Sequence, residues 1–340
     1  MKNFLKNKEL LIIILFTLIG GFLRFYNLNW GSPFYFHPDE RNIASSVSQL
    51  YFPSQMNPHF FAYGSFPIYI IYFFGIAWNI ISSLKPLFLP HTVSFENAIL
   101  ISRFLSALLS SLLIPFIYLV GKRLKDQNTG FIAALFTTLS VGFIQFAHFG
   151  TFEIWITFLS LVIFYLSLLF LNSNNRRLLL IIGLIGGLLV STKISGGFLF
   201  LYTLFLVLLN NIKNRRKPFF LISGSISDLL IVFLPAIIIF SLISPFAFLD
   251  FGSFLSSLKY ESSVALGILP VFYTAEFYGK YPILFQFTSI YPFLLNPFFT
   301  IAMLPALFYV TYTSIKHKNK SYFLLTIMFS ILFFSQAFLF

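Results

Sequence analysis

The chain has no cysteine, which excludes disulfides and thiolate-bound metals. Charge is almost as scarce. Asp, Glu, Lys and Arg together make up 9% of the 340 residues, where a soluble domain carries about 25%. Acids are the rarest component, 10 residues against 22 Lys and Arg.

What fills the sequence instead is apolar: 58% hydrophobic residues with a mean hydropathy of +0.88. This is the composition of an all-α polytopic membrane protein, since in lipid only helices and closed barrels satisfy their own backbone groups. One spanning helix needs about 20 apolar residues, which leaves room for roughly nine to eleven spans. They are expected at 10–24, 66–84, 98–120, 130–148, 154–171, 178–192, 196–210, 219–244, 287–314 and 321–340. The whole of 1–340 reads as a single transmembrane domain with two long connections, about 25–65 and 245–286. The N-terminus resembles a secretory signal but lacks a small-residue cleavage site, so it reads as a retained first helix. The closing run Ser335–Phe340 is apolar, as expected of a chain that continues beyond it.

The net charge of +12 does not point to nucleic acid. Most basic residues sit in five clusters at the ends of apolar runs: Lys2/Lys6/Lys8, Lys122/Arg123/Lys125, Arg176/Arg177, Lys213/Arg215/Arg216/Lys217 and Lys316/Lys318/Lys320. That pattern marks cytoplasmic loops. It predicts a plasma (inner) membrane protein with a cytoplasmic N-terminus and both long connections outside. Asp39, Glu40, Glu96, Glu153, Asp250, Glu261 and Glu276 then fall on outer segments, while Glu9, Asp126 and Asp228 do not. One stretch resists the scheme. An even number of crossings is needed between Tyr51 and Ser94, yet only 66–84 is clearly apolar there. Either that run is re-entrant or interfacial, or the stretch through Pro86 and Pro90 returns to the surface.

The first outer connection contains FHPDER, residues 36–41, with two adjacent acids. From Asp39 onward the pattern predicts a short interfacial amphipathic helix with Ile43, Val47 and Leu50 on one face. Pro38 suits its first position, and acids in the first turn are favoured by the helix dipole. The same pair is a candidate for chemistry. A carboxylate that gives up part of its hydration is a stronger base. It can take a proton from an acceptor hydroxyl or amine, or serve as a hard oxygen ligand to a divalent cation. No cofactor is required by the sequence.

Further candidates stand at span ends: His148 and Glu153 in HFGTFE, Lys193 in STKISGG, and Arg103 about one turn inside a span. Charges at such depth default to function, and Arg103 and Lys193 suit a phosphate as a fork and a point charge. Plainer roles compete: Arg103 and Lys193 as snorkelling side chains, His148 as a satisfied interfacial histidine, and Asp228 beside Ser225 and Ser227 as a helix-packing hydrogen bonder.

These segments resemble, in order, the GT-C fold membrane glycosyltransferases, in particular the group of protein O-mannosyltransferases and aminoarabinose lipid A transferases. The matching stretches are HPDERNIASSVSQL, YGSFPIYIIYF, SRFLSALLSSLLIPFIYLVGKRL, QFAHFGTFEIWITFLSL, STKISGGFLF and SPFAFLDFGSFLSSL. The resemblance implies transfer of a sugar from a polyprenyl-phosphate carrier to a lipid, glycan or protein acceptor at the extracytoplasmic face. It implies Asp39 as catalytic base with Glu40 in support. Glu153, with His148 nearby, would be the second acid near the donor phosphate or a metal, and Arg103 and Lys193 the phosphate-binding candidates. Glu153 departs from the family's usual Asp, and the Lys-Pro motif of the lipid A transferases is missing from YGSFPIYI. The absence of a glycine-rich phosphate loop agrees with a lipid-linked rather than a nucleotide-linked donor. A competing class is a transporter or flippase, which usually carries internal repeats; none is evident in the sequence.

Overall fold

A computed structural model describes residues 2–83, 92–214, 218–277 and 279–337. Arg215, Arg216 and Lys217 of the fourth basic cluster, and the stretch through Pro86 and Pro90, lie outside the described residues. Among the described residues the chain is helical, apart from an isolated bridge between Tyr51 and Gln55. By contacts it divides into two compact units. One comprises 1–158 with the short segments 191–193 and 243–253; the other comprises 159–190, 194–242 and 254–340.

The first unit contains α1 (Lys2–Phe25), α2 (Pro38–Ser48), α3 (Ser65–Ser83), α4 (Phe95–Leu124), α5 (Gln127–Leu139), α6 (Val141–Ala147) and the first turns of α7 (Glu153–Ser173). The amphipathic helix expected after FHPDER is α2. His37 is extended, Pro38 takes the first helical position, and Asp39 and Glu40 fill the first turn. Ile43, Val47 and Leu50 are all buried, packed with Ile68 and Tyr72 of α3, Ile99 and Leu105 of α4, and Phe152. Each such side chain contributes about 1.5–3 kcal/mol on full burial, which pins α2 by one face and leaves its N-terminal turn to be positioned from it.

The span expected at 130–148 is broken. α5 ends at Leu139, α6 begins at Val141, and the two are bent by 53°. No proline marks the break; its cause is tertiary. A helix end in lipid leaves carbonyls that need donors, and the fully buried Arg24 guanidinium reaches Thr137 O at 2.7 Å and Thr138 O at 3.1 Å.

From residue 159 the chain continues with the rest of α7, then α8 (Arg176–Thr192), α9 (Gly196–Phe200), α10 (Tyr202–Asn214), α11 (Pro218–Ile243), α12 (Phe246–Leu249) and α13 (Phe251–Ala265). These are followed by α14 (Pro282–Phe285), α15 (Tyr291–Leu294), α16 (Pro297–Lys316) and α17 (Lys320–Ala337). Of these, α12 lies wholly in the first unit, as do the last residues of α8 and α11 and the first of α13; the rest belong to the second. Two more expected spans are interrupted: 196–210 at Leu201, and 287–314 at Asn296, whose φ is +96°. Asp228 packs helices, as its sequence neighbours suggested. It accepts from Asn211 Nδ2 at 3.0 Å and lies 2.8 Å from Arg176 Nε.

Among the described residues, α4, α7, α16 and 223–243 are long and apolar enough to cross a membrane, and the bent pair α5–α6 would make a fifth span. With the composition, this makes the chain an integral membrane protein.

Candidate functional site

The site grows from the first turn of α2. Because Ile43 and Val47 anchor one face of that helix and Leu50 buries the chain just past its end, the acids at its start are held on a fixed backbone. The two then part company. Glu40 is 1% exposed, and its carboxylate is fully consumed. Arg103 Nε donates to its Oε1 and Arg103 Nη2 to its Oε2, both at 2.7 Å, and the Gly150 amide donates to Oε1 at 2.6 Å. Asp39, one residue earlier, is half-buried and has no hydrogen-bond partner among the described residues.

Arg103 lies on α4, also fully buried. Its remaining donors reach the carbonyls of Leu28 and Trp30 at 2.8 Å each, and its guanidinium stacks 4.3 Å from the Trp30 ring. Taken out of water, such a charge needs both a counter-ion and a full set of acceptors, and it has them. The expectation that it presents itself to a phosphate meets no open face here. The arginine instead ties α4, the 28–30 turn and α2 together.

Gly150 is the contact point of the next segment. A side chain there would bring a Cβ to 2.8 Å from Ser102 Cβ, so only glycine lets the 150–152 backbone come close enough to donate to Glu40. Three residues on, Glu153 opens α7. Its Oε1 faces Lys193 Nζ at 3.8 Å, while its Oε2 is buried without a hydrogen-bond partner. Lys193 also lies 4.9 Å from the centre of the Tyr63 ring. The two side chains are each about one-third exposed, 37% and 34%, a loose pair rather than a locked one. The 191–193 segment is fixed through its backbone, Gly64 N donating to Thr192 O at 2.9 Å.

His148 is placed apart from this chemistry. Nδ1 lies 2.8 Å from Ile144 O and Nε2 2.8 Å from Tyr26 O, so neither ring nitrogen faces a ligand position. Among the described residues no three His, Asp or Glu side chains are grouped to hold a metal. The uncommitted acid oxygens near α2 and α7 are those of Asp39 and Oε2 of Glu153.

Three side chains escaped sequence reasoning. Asn57 Nδ2 donates to Asp250 at 3.1 Å, and His59 Nδ1 stands 4.0 Å from the same carboxylate. Hydrogen bonds from Ser253 and then Asn57 hold the Asp250 carboxyl below its ordinary value. The partners are separated by 193 positions, a distance no local pattern bridges. Tyr63 beneath Lys193 is the third; one more tyrosine among 17 carries no signal.

Comparisons with known proteins bear on the fold that carries these residues. Residues 92–239, from just before α4 into α11, match the family model described as dolichyl-phosphate-mannose-protein mannosyltransferase. The archaeal oligosaccharyltransferase AglB from Archaeoglobus fulgidus, solved with an inhibitory peptide and a dolichol-phosphate, superposes with a TM-score of 0.57 at 17% identity. It covers 98% of this chain and 48% of its own. The S. cerevisiae protein O-mannosyltransferase Pmt1–Pmt2 complex, solved with its sugar donor, superposes with a TM-score of 0.51 at 14% identity, over 73% of this chain and 34% of its own. No curated protein matches in sequence. The chain thus spans between about a third and a half of the length of these structures. In fold, the chain is similar to these solved glycosyltransferase structures.

Proposed function

We propose that the protein transfers a sugar from a polyprenyl-phosphate carrier to an acceptor at the extracytoplasmic membrane face, with Asp39 as general base. The observation that carries this reading is the division of labour at the start of α2. Glu40 spends its whole carboxylate on Arg103 and Gly150, while Asp39 is half-buried and has no hydrogen-bond partner among the described residues. A base must reach its proton within hydrogen-bond distance, and an acid already saturated by donors cannot.

In the reaction, Asp39 accepts the proton of the acceptor hydroxyl or amine. The acceptor atom bonds to the anomeric carbon, and the bond from that carbon to the phosphate oxygen breaks. Its electron pair leaves with the polyprenyl phosphate. The departing phosphate needs a positive partner. Lys193, loosely held between Glu153 and Tyr63, can turn to it at little cost. Glu153 keeps Oε2 available for a donor hydroxyl or a divalent cation. Arg103 acts at one remove, by fixing Glu40 and with it the backbone that carries Asp39. The apolar carrier stays in lipid while its headgroup meets these residues, which accounts for a polar cluster on so hydrophobic a chain.

The test is lipid mass spectrometry of membranes with and without the protein. A polyprenyl-phosphate sugar consumed together with a newly glycosylated acceptor supports the reading; unchanged pools of both remove it.

A further inference from the structure

None of the five basic clusters enters the mechanism; one of them, Lys316/Lys318/Lys320, lies at the turn between α16 and α17. We infer that this turn, with the facing wall of α10, binds the phosphate headgroup of an anionic phospholipid.

A cavity of about 300 Å³ opens there, lined by Leu209 and Ile212 of α10, Ser314 and Ile315 of α16, Lys318 of the turn and Phe323 of α17. Its accessible lining is largely apolar, as the first acyl carbons of a lipid require, with Ser314 and Lys318 among the residues that bound it. On the polar side, Ser314 is 3% exposed and its hydroxyl has no hydrogen-bond partner, although the backbone carbonyl of the same residue accepts from Asn319 N at 3.0 Å. A buried hydroxyl without a partner is costly, and a phosphate oxygen entering the cavity would supply the missing one. Lys318 lines the cavity and is exposed, and Lys316 stands beside the turn with its ammonium 5.3 Å from the Tyr312 ring. Lys320 closes the wall by donating to Leu209 O.

No Asp or Glu occurs in α10, α16 or α17, so the positive charge has no neutralising carboxylate on the elements that build the cavity. On the apolar side, Ile212 and Ile315 are 64% and 67% exposed and continue the cavity wall onto the surfaces of their helices. That path suits an acyl chain and has no use for free phosphate. Basic pockets at helix ends are a recurring means of holding anionic headgroups.

Native mass spectrometry of the full chain with equimolar phosphatidylglycerol and phosphatidylcholine of identical acyl chains tests the site. The wild type retains the anionic lipid in preference. The Lys316→Gln/Lys318→Gln variant, altered only at exposed positions, loses about fivefold in retention per lysine. Ser314→Ala leaves the fold intact and also lowers retention. Asp39→Asn retains the lipid fully, so this site and the transferase reading succeed or fail separately. Equal retention of both lipids, an unchanged double variant, or displacement of the lipid by millimolar inorganic phosphate would each overturn the assignment.

Discussion

Glu40 and Arg103 meet through two parallel hydrogen bonds of 2.7 Å, with both side chains wholly shielded from solvent. They come from helices 63 positions apart in sequence, and the pair sets where the first turn of α2 stands. Breaking a buried ion pair leaves its partner charged and uncompensated. Arg103→Ala should therefore cost about 3–5 kcal/mol, read as loss of thermal stability in detergent. Arg103→Lys should recover little, since an ammonium cannot reproduce the forked contact. If Arg103→Lys is as stable as the wild type, the geometry does not carry the weight assigned to it.

Gly150 gives a second test of the same junction. Its Cβ would meet Ser102 at 2.8 Å, and overpacking of this kind costs about 1–3 kcal/mol. Gly150→Ala should lose stability, and Ser102→Gly in that background should restore part of it. The double-mutant cycle reads the coupling directly, and additive effects would contradict the contact.

Lys193 is predicted to act on the donor. Losing a charge-assisted hydrogen bond to a phosphate removes about 1.5–3 kcal/mol. Lys193→Met should accordingly lower kcat/KM for a polyprenyl-phosphate sugar by about 10- to 100-fold, with the fold unchanged by circular dichroism. Retained activity would assign Lys193 to its pairing with Glu153 alone.

Asp250 makes a pH prediction of definite sign. Hydrogen bonds from Ser253 and Asn57 lower its folded value, so its contribution to stability is present above the ordinary carboxylate range. It is lost as pH falls through the lowered value. The melting temperature of the wild type should drop more steeply on acidification than that of Asn57→Ala. Parallel curves would show that the Asn57 contact is not linked to folding.

Much of this was legible in the sequence because it rests on local rules. Composition gave helices in a membrane, and Pro38 with the spacing of Ile43, Val47 and Leu50 predicted α2. What stayed hidden depends on partners far along the chain. The α5–α6 break is set by Arg24, more than 110 positions away. Arg103 read equally well as a phosphate ligand or a snorkelling side chain, and only its contacts with Glu40, Leu28 and Trp30 reveal a third use. Residue chemistry does not tell Glu40 from Asp39 and only the family resemblance ranked them, whereas burial and the donors on Glu40 set their surroundings apart.

That separation is the central claim. The measurement that meets it most directly is sugar transfer from a polyprenyl-phosphate donor by purified Asp39→Asn, alongside wild type and a thermal melt of each. The account predicts an unchanged melt and transfer reduced by at least about 100-fold, since Asp39 has no hydrogen-bond partner among the described residues to lose. Full transfer by Asp39→Asn would remove the general base and contradict the account.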